Sequence, residues 1–221
     1  MQEISMSGET CLQLIHDAGV IAILRAKSPD HLLQAAKAIH QGGITAIEVT
    51  LNTPGALQVI EQATAHFGEE VAFGAGTVLN AEDAQAAIQA GAQFIVTPTL
   101  KAEVIKVCRH HKTPVLPGAY TPTEILTAWE LGADMVKVFP ASVGGPAFIK
   151  AVRAPLPQIE LIPVGGVTLK NVTDYIDAGA VAVGVGSELL DPRFLQTQDW
   201  YQVKERAQQF VAAVIRARGS A

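Results

Sequence analysis

One lysine stands in the middle of an apolar run, Asp134-Met135-Val136-Lys137-Val138-Phe139-Pro140. Bounded by Gly132 and Pro140 and rich in valine, the run reads as a buried strand, in which an ammonium group is costly to desolvate unless it is paired or neutral. Alternation places Met135, Lys137 and Phe139 on one face and Val136 and Val138 on the other, so the lysine shares its face with large side chains. It is either half of a structural ion pair or a nucleophile, because desolvation favours the neutral amine whose lone pair attacks a carbonyl. A matching carboxylate occurs in Ala46-Ile47-Glu48-Val49-Thr50-Leu51, where Glu48 shares a face with Ala46 and Thr50. If the two faces meet inside one fold, Glu48 and Lys137 are a static pair or, with a cavity between them, an acid/base and a nucleophile.

Two glycine-rich turns could complete such a site: Gly165-Gly166-Val167-Thr168 and Gly184-Val185-Gly186-Ser187. Glycines at strand ends expose backbone N–H groups, and a helix N-terminus beyond them favours an anion such as phosphate; glycine also simply makes turns. Arg25, ending the run Gly19-Val20-Ile21-Ala22-Ile23-Leu24, could grip a carboxylate bidentately or pair with an acid outside the site. Thr77, Thr97 and Thr99 could add hydrogen bonds, although threonine is common at strand ends. The six histidines fall in predicted helices or their ends and make no metal-ligating pattern. Cys11 and Cys108 lie in amphipathic helical stretches without CxxC or zinc spacing and read as buried free thiols.

These residues need a frame, and the pattern around them is repetitive. A short N-terminal helix, Thr10 to Ala18, precedes about eight strand–turn–helix units, whose strands are continuous apolar runs of the kind found in parallel sheets covered on both faces. Ser28-Pro29-Asp30 predicts an N-cap and first turn for the helix after Arg25, and Thr121-Pro122-Thr123-Glu124 has capping-box spacing. Gly42-Gly43, Gly91, Gly132 and Gly179 each stop a helix just before a strand. An α/β fold closed as a (βα)8 barrel over residues 1–221, a single domain with an N-terminal helix, is the economical expectation; the catalytic end is then the C-terminal end of the strands. A doubly wound open sheet is the alternative, but Arg25-Ala26-Lys27-Ser28 stands where its GxGxxG turn would be. At 221 residues, 49% hydrophobic and 17% charged with net charge −5, the chain can bury a large core and offers no electrostatic footprint for nucleic acid. No stretch reaches membrane-spanning length, and Met1-Gln2-Glu3-Ile4-Ser5-Met6-Ser7-Gly8 lacks the features of a signal peptide, so a cytoplasmic protein with a small-molecule partner is expected.

In order and spacing, Ile47-Glu48-Val49-Thr50-Leu51, Gly74-Ala75-Gly76-Thr77-Val78-Leu79, Val136-Lys137-Val138-Phe139-Pro140 and Pro163-Val164-Gly165-Gly166-Val167 resemble the 2-keto-3-deoxy-6-phosphogluconate (KDPG) / 4-hydroxy-2-oxoglutarate (KHG) aldolases. The resemblance spans about Gly19 to Leu190 and implies a class I aldolase on a (βα)8 barrel, a homotrimer needing no metal or cofactor and acting on a keto acid phosphate. It implies Lys137 as the Schiff-base residue, Glu48 as the proton shuttle, Phe139, Thr77 and Pro98 lining the site, and Gly165, Gly166, Gly186 and Ser187 holding phosphate. Two positions depart from the best-known members. Asn52 replaces the arginine of a Thr-Leu-Arg-Thr run, with Arg25 placed as in relatives that carry the carboxylate-binding arginine on the first strand. Val164 replaces a threonine, as in galactonate-pathway relatives acting on the C4 epimer. A non-covalent sugar-phosphate isomerase or epimerase, and a phosphate-binding barrel with a static Glu48–Lys137 pair, are the competing readings.

Overall fold

In the computed structural model, which describes residues 6–219, parallel strands alternate with helices; the reading of the first residues as no signal peptide lies, for residues 1–5, outside the described part. The strands are β1 (Val20–Leu24), β2 (Ala46–Thr50), β3 (Ala72–Gly76), β4 (Phe94–Val96), β5 (Val115–Leu116), β6 (Gly118–Ala119), β7 (Val136–Val138), β8 (Leu161–Pro163) and β9 (Val183–Val185). Helix α1 (Gly8–Ala18) precedes them. Between them run α2 (Leu32–Gln41), α3 (Ala56–Phe67), α4 (Ala81–Gln89), α5 (Ala102–His111), α6 (Pro122–Glu130), α7 (Gly145–Arg153) and α8 (Val172–Asp177), and α9 (Pro192–Thr197) and α10 (Trp200–Arg218) follow.

Hydrogen bonding arranges the strands as two arcs, β5-β4-β3-β2-β1-β9 and β6-β7-β8. Two seams join the arcs. At the first, Pro117 has no N–H for the ladder and separates β5 from β6 within one run of extended chain. Its carbonyl still accepts from Lys137 N–H at 3.0 Å, between bonds from Asp134 N–H to Val115 and from Phe139 N–H to Ala119. The second seam is the parallel bridge Val164↔Gly184, with Val181 N–H donating to the Leu161 carbonyl. Together they close the expected (βα)8 barrel.

Alternation sorts the apolar side chains into two shells. Residues such as Ile47, Val49, Phe73, Ala75, Val136 and Val138 point outward against the helices. Ile21, Ala46, Ala72, Phe94, Val96, Leu116, Met135, Ile162, Val164 and Ala182 fill the interior. Helix α1 plugs the N-terminal end: Cys11 and Ile15, both fully buried, join the interior cluster, and Thr45 Oγ1 donates to the Leu14 carbonyl. Burial, with a smaller contribution from Asp134, pushes both thiols up to about 12, as fits inert core cysteines.

Local signals explain most helix ends. Thr121 and Glu124 form the expected capping box, and α10 buries Val203, Ala207, Phe210 and Val214. The predicted start at Ser28 is not where α2 begins. Ser28 Oγ instead accepts from Asp30 N–H at 3.1 Å and donates to Asp30 Oδ2, a closed local turn that leaves Leu32 as the first helical residue.

Candidate active site

Glu48, the middle residue of β2, and Lys137, the middle residue of β7, both point into the barrel from strands on opposite sides. Going round, β3, β4 and β5/β6 separate them one way, and β1, β9 and β8 the other. Glu48 is 2% exposed and Lys137 6%. They do not close an ion pair: Glu48 Oε1 is buried with no hydrogen-bond partner among the described residues, and Lys137 Nζ lies 5.4 Å from the centroid of the Phe139 ring. An orphaned carboxylate oxygen among apolar neighbours is expensive. Accordingly, burial raises the Glu48 carboxyl above the usual carboxylate range, while the nearby charges of Lys137 and Arg25 pull it back only in part.

The room for Glu48 comes from the next strand. A Cβ on Gly76 would overlap the Glu48 carboxylate, so only glycine leaves that space. Two residues earlier, Gly74 gives the same kind of space to the ring of Phe94. Thr77 follows at φ 57, an uncommon left-handed conformation for a β-branched residue, which turns the chain at the mouth beside Glu48.

The remaining predicted residues rim the same mouth. Phe139, 40% exposed, bridges Lys137 to the glycine turn after β8: a Cβ on Gly165 would lie 3.3 Å from its ring. Gly165 and Gly166, at φ 90 and 81, turn the chain sharply, and a Cβ on Gly166 would stand 2.6 Å from Ser142 Cβ. Gly186 and the exposed Ser187 follow β9, beside Ile23 of β1. The N–H groups of Gly165, Gly166, Gly186 and Ser187 donate to no acceptor among the described residues. Val164 packs inward at the seam, against Gly184. Half-buried Pro98 follows β4. Thr97 beside it is committed to the backbone, its hydroxyl donating to Thr99 O and accepting from Gly118 N–H. Arg25 is exposed and forms no ion pair within the described residues. With Lys27, Asn52 and Pro192 it lines a cleft of about 920 Å³ on the β1–β2 side of the mouth.

Residues 12–206 match the family model described as KDPG and KHG aldolase. The chain belongs to that family. Within the KDPG and KHG aldolases, it is 43% identical over 171 residues to the 2-dehydro-3-deoxy-6-phosphogalactonate aldolase of Escherichia coli (strain K12), covering 77% of this chain and 83% of the relative. It is 35% identical over 192 residues to the 2-dehydro-3-deoxy-phosphogluconate aldolase of Pseudomonas aeruginosa, covering 86% and 87%. The structure of KDPG aldolase from Legionella pneumophila, with pyruvate captured at low pH as a covalent carbinolamine intermediate, superposes with TM-score 0.82 at 28% identity, over 88% of this chain and 95% of that one. Like these aldolases, the chain is a carbon–carbon lyase.

Gly76 and Gly74 were not assigned roles from the sequence, although their spacing of two on an interior-facing strand carries the signal. Among the described residues no group of three or more His, Cys, Asp or Glu could hold a metal, and no helix is long and apolar enough to cross a membrane.

Proposed function

We propose that the chain, acting as one barrel domain, is a class I aldolase cleaving 2-keto-3-deoxy-6-phosphogluconate to pyruvate and D-glyceraldehyde 3-phosphate, with 4-hydroxy-2-oxoglutarate as a further substrate. The observation that carries this is that Glu48 and Lys137, both buried and turned into one barrel interior, form no ion pair, with Glu48 Oε1 left without a hydrogen-bond partner among the described residues. A static pair would have closed.

In this reading Lys137 Nζ attacks the C2 ketone, and Glu48, whose raised affinity for protons suits it to both directions of transfer, helps expel water to leave an iminium. Glu48 as carboxylate then takes the proton of the C4 hydroxyl. The C3–C4 bonding electrons move toward the iminium, the aldehyde departs, and an enamine remains on Lys137. The proton held by Glu48 passes to C3, and water releases pyruvate and the free amine. Arg25 binds the substrate carboxylate, with Thr77, Pro98 and Phe139 walling its chain. The free N–H groups of Gly165, Gly166, Gly186 and Ser187 receive the phosphate. The family resemblance supports a homotrimer, and a phosphorylated substrate supports a cytoplasmic location.

A second reading, the C4 epimer 2-keto-3-deoxy-6-phosphogalactonate, is favoured by Val164 and by the 43% identity to the E. coli relative. The mechanism is the same for both.

The test is mass spectrometry after incubation with pyruvate and borohydride. A reduced pyruvyl adduct confined to the Lys137 peptide, absent in Lys137→Arg, is expected. No adduct in folded protein would return the weight to the isomerase or binding readings.

A further inference from the structure

We propose that Thr50 and Thr53 are positioning residues for Arg25, joined in a buried hydroxyl chain that pins both peptide groups flanking it; this rests on the reading of Arg25 as the carboxylate-binding residue.

The β1–β2 register ends at Leu24↔Val49, so Arg25 lies just beyond the paired strand. Its guanidinium must nevertheless reach a defined place at the mouth, and a long exposed side chain on a loose backbone is a poor gauge of position. Three hydrogen bonds supply what the ladder does not. Ala26 N–H donates to Thr53 Oγ1 at 3.2 Å, the two hydroxyls meet at 3.3 Å, and Thr50 Oγ1 donates to the Leu24 carbonyl at 3.2 Å. A carbonyl only accepts and an amide N–H only donates, so the direction of the middle bond follows: Thr53 donates to Thr50. Each hydroxyl then donates once and accepts once. The Leu24 carbonyl belongs to the peptide plane before Arg25 and the Ala26 N–H to the plane after it. Holding both planes fixes φ and ψ of Arg25, the two soft backbone dihedrals it has.

Both threonines are buried, Thr50 at 0% and Thr53 at 2%, so the two bonds made by Thr50 are shielded from water and the one from Ala26 N–H is partly so. Arg25 carries no ion pair of its own among the described residues and is felt electrostatically by Glu48. Its backbone is held, its side chain is open to an anion, and it stands beside the group that moves protons. Thr50 and Thr53 touch no substrate in this reading; they set where the cation starts from.

The experiment isolates carboxylate binding from phosphate binding by following exchange of the pyruvate methyl protons in D2O, which needs enamine formation on Lys137 and no phosphate. Thr53→Val keeps the shape and removes the hydroxyl; losing one net hydrogen bond to the held backbone should raise KM for pyruvate roughly threefold to tenfold, with kcat changed less than about twofold. Thr53→Ser should restore the wild-type KM. Arg25→Ala should raise KM by itself, and adding Thr53→Val to it should have no further effect. A Thr53→Val penalty equally large with and without Arg25, or none at all where Arg25→Ala has one, would overturn the clamp while leaving the carboxylate role intact. An unchanged KM in Arg25→Ala would instead bring down the carboxylate role and the clamp with it. Should Thr53→Val not fold, Thr50→Val breaks the chain at its other end and is measured in the same way.

Discussion

Adding one methyl group at Gly76 should disable the enzyme without touching any titratable residue. A Cβ there would stand 2.5 Å from Glu48 Cγ, and closer still to Cδ and Oε1. Carbon atoms pack at about 3.5–4.0 Å, so the carboxyl must retreat by on the order of 1 Å. The backbone does not object, since Gly76 is not among the residues with positive φ. A misplacement of about 1 Å at a reacting group costs on the order of 100-fold, so kcat for 2-keto-3-deoxy-6-phosphogluconate cleavage, followed as pyruvate release, should fall by that factor in Gly76→Ala. Gly74→Ala is the internal control. Its Cβ would meet the fully buried Phe94 ring at 2.5 Å and less, which is overpacking and should cost about 1–3 kcal/mol of stability in urea melts with kcat nearly unchanged. In a Glu48→Gln background Gly76→Ala should cost little further activity, because the group it displaces is already inactive. A folded Gly76→Ala enzyme with wild-type kcat would refute the placement of Glu48 as the proton-transfer group.

Glu48→Gln should also change how stability depends on pH. Because burial raises the folded-state carboxyl above its unfolded value, the wild type binds the proton more tightly folded than unfolded, so its stability falls as pH rises from the ordinary carboxylate range through the raised folded value. The glutamine variant lacks that loss, so its advantage in urea midpoint should grow with pH across this window and then level off; an advantage constant with pH would contradict it. Val164→Thr places a hydroxyl on the inward face, beside the substrate's C4 alcohol in the proposed site, and should shift the ratio of kcat/KM for the two C4 epimers toward the gluconate form by about tenfold, the worth of one good hydrogen bond. An unmoved ratio would take Val164 out of epimer choice.

The two ionisable groups were legible because a charge in an apolar strand has few innocent explanations, and period-two alternation puts Glu48 and Lys137 on interior faces. The barrel was legible from repetition, and the glycine turns from composition. What escaped were features set between strands. Gly76 matters because a side chain from β2 leans over the backbone of β3, a lateral relation that neither strand records alone. Thr53 sits in a turn where threonine is unremarked, and its role appears only when the ends of β1 and β2 are seen side by side. The break at Pro117 and the late start of α2 have a local reason. In each, one residue's preference won, proline's missing donor in the first and Ser28's bond to Asp30 in the second.

Helix α1 has a kinetic consequence. With Cys11, Ile15, Met135, Leu116 and Ile162 buried in the interior cluster, the α1 end of the barrel is packed shut, and in the proposed mechanism substrate and products pass by the opposite end, the mouth. Traffic through it must be sequential. In the proposed mechanism the aldehyde half departs first, while the keto acid half, tethered to Lys137, waits until water has followed the same route inward. On that reading the enamine faces whatever next comes through the mouth, and whether that visitor is water or another aldehyde decides if the cycle ends in cleavage or in a new carbon–carbon bond.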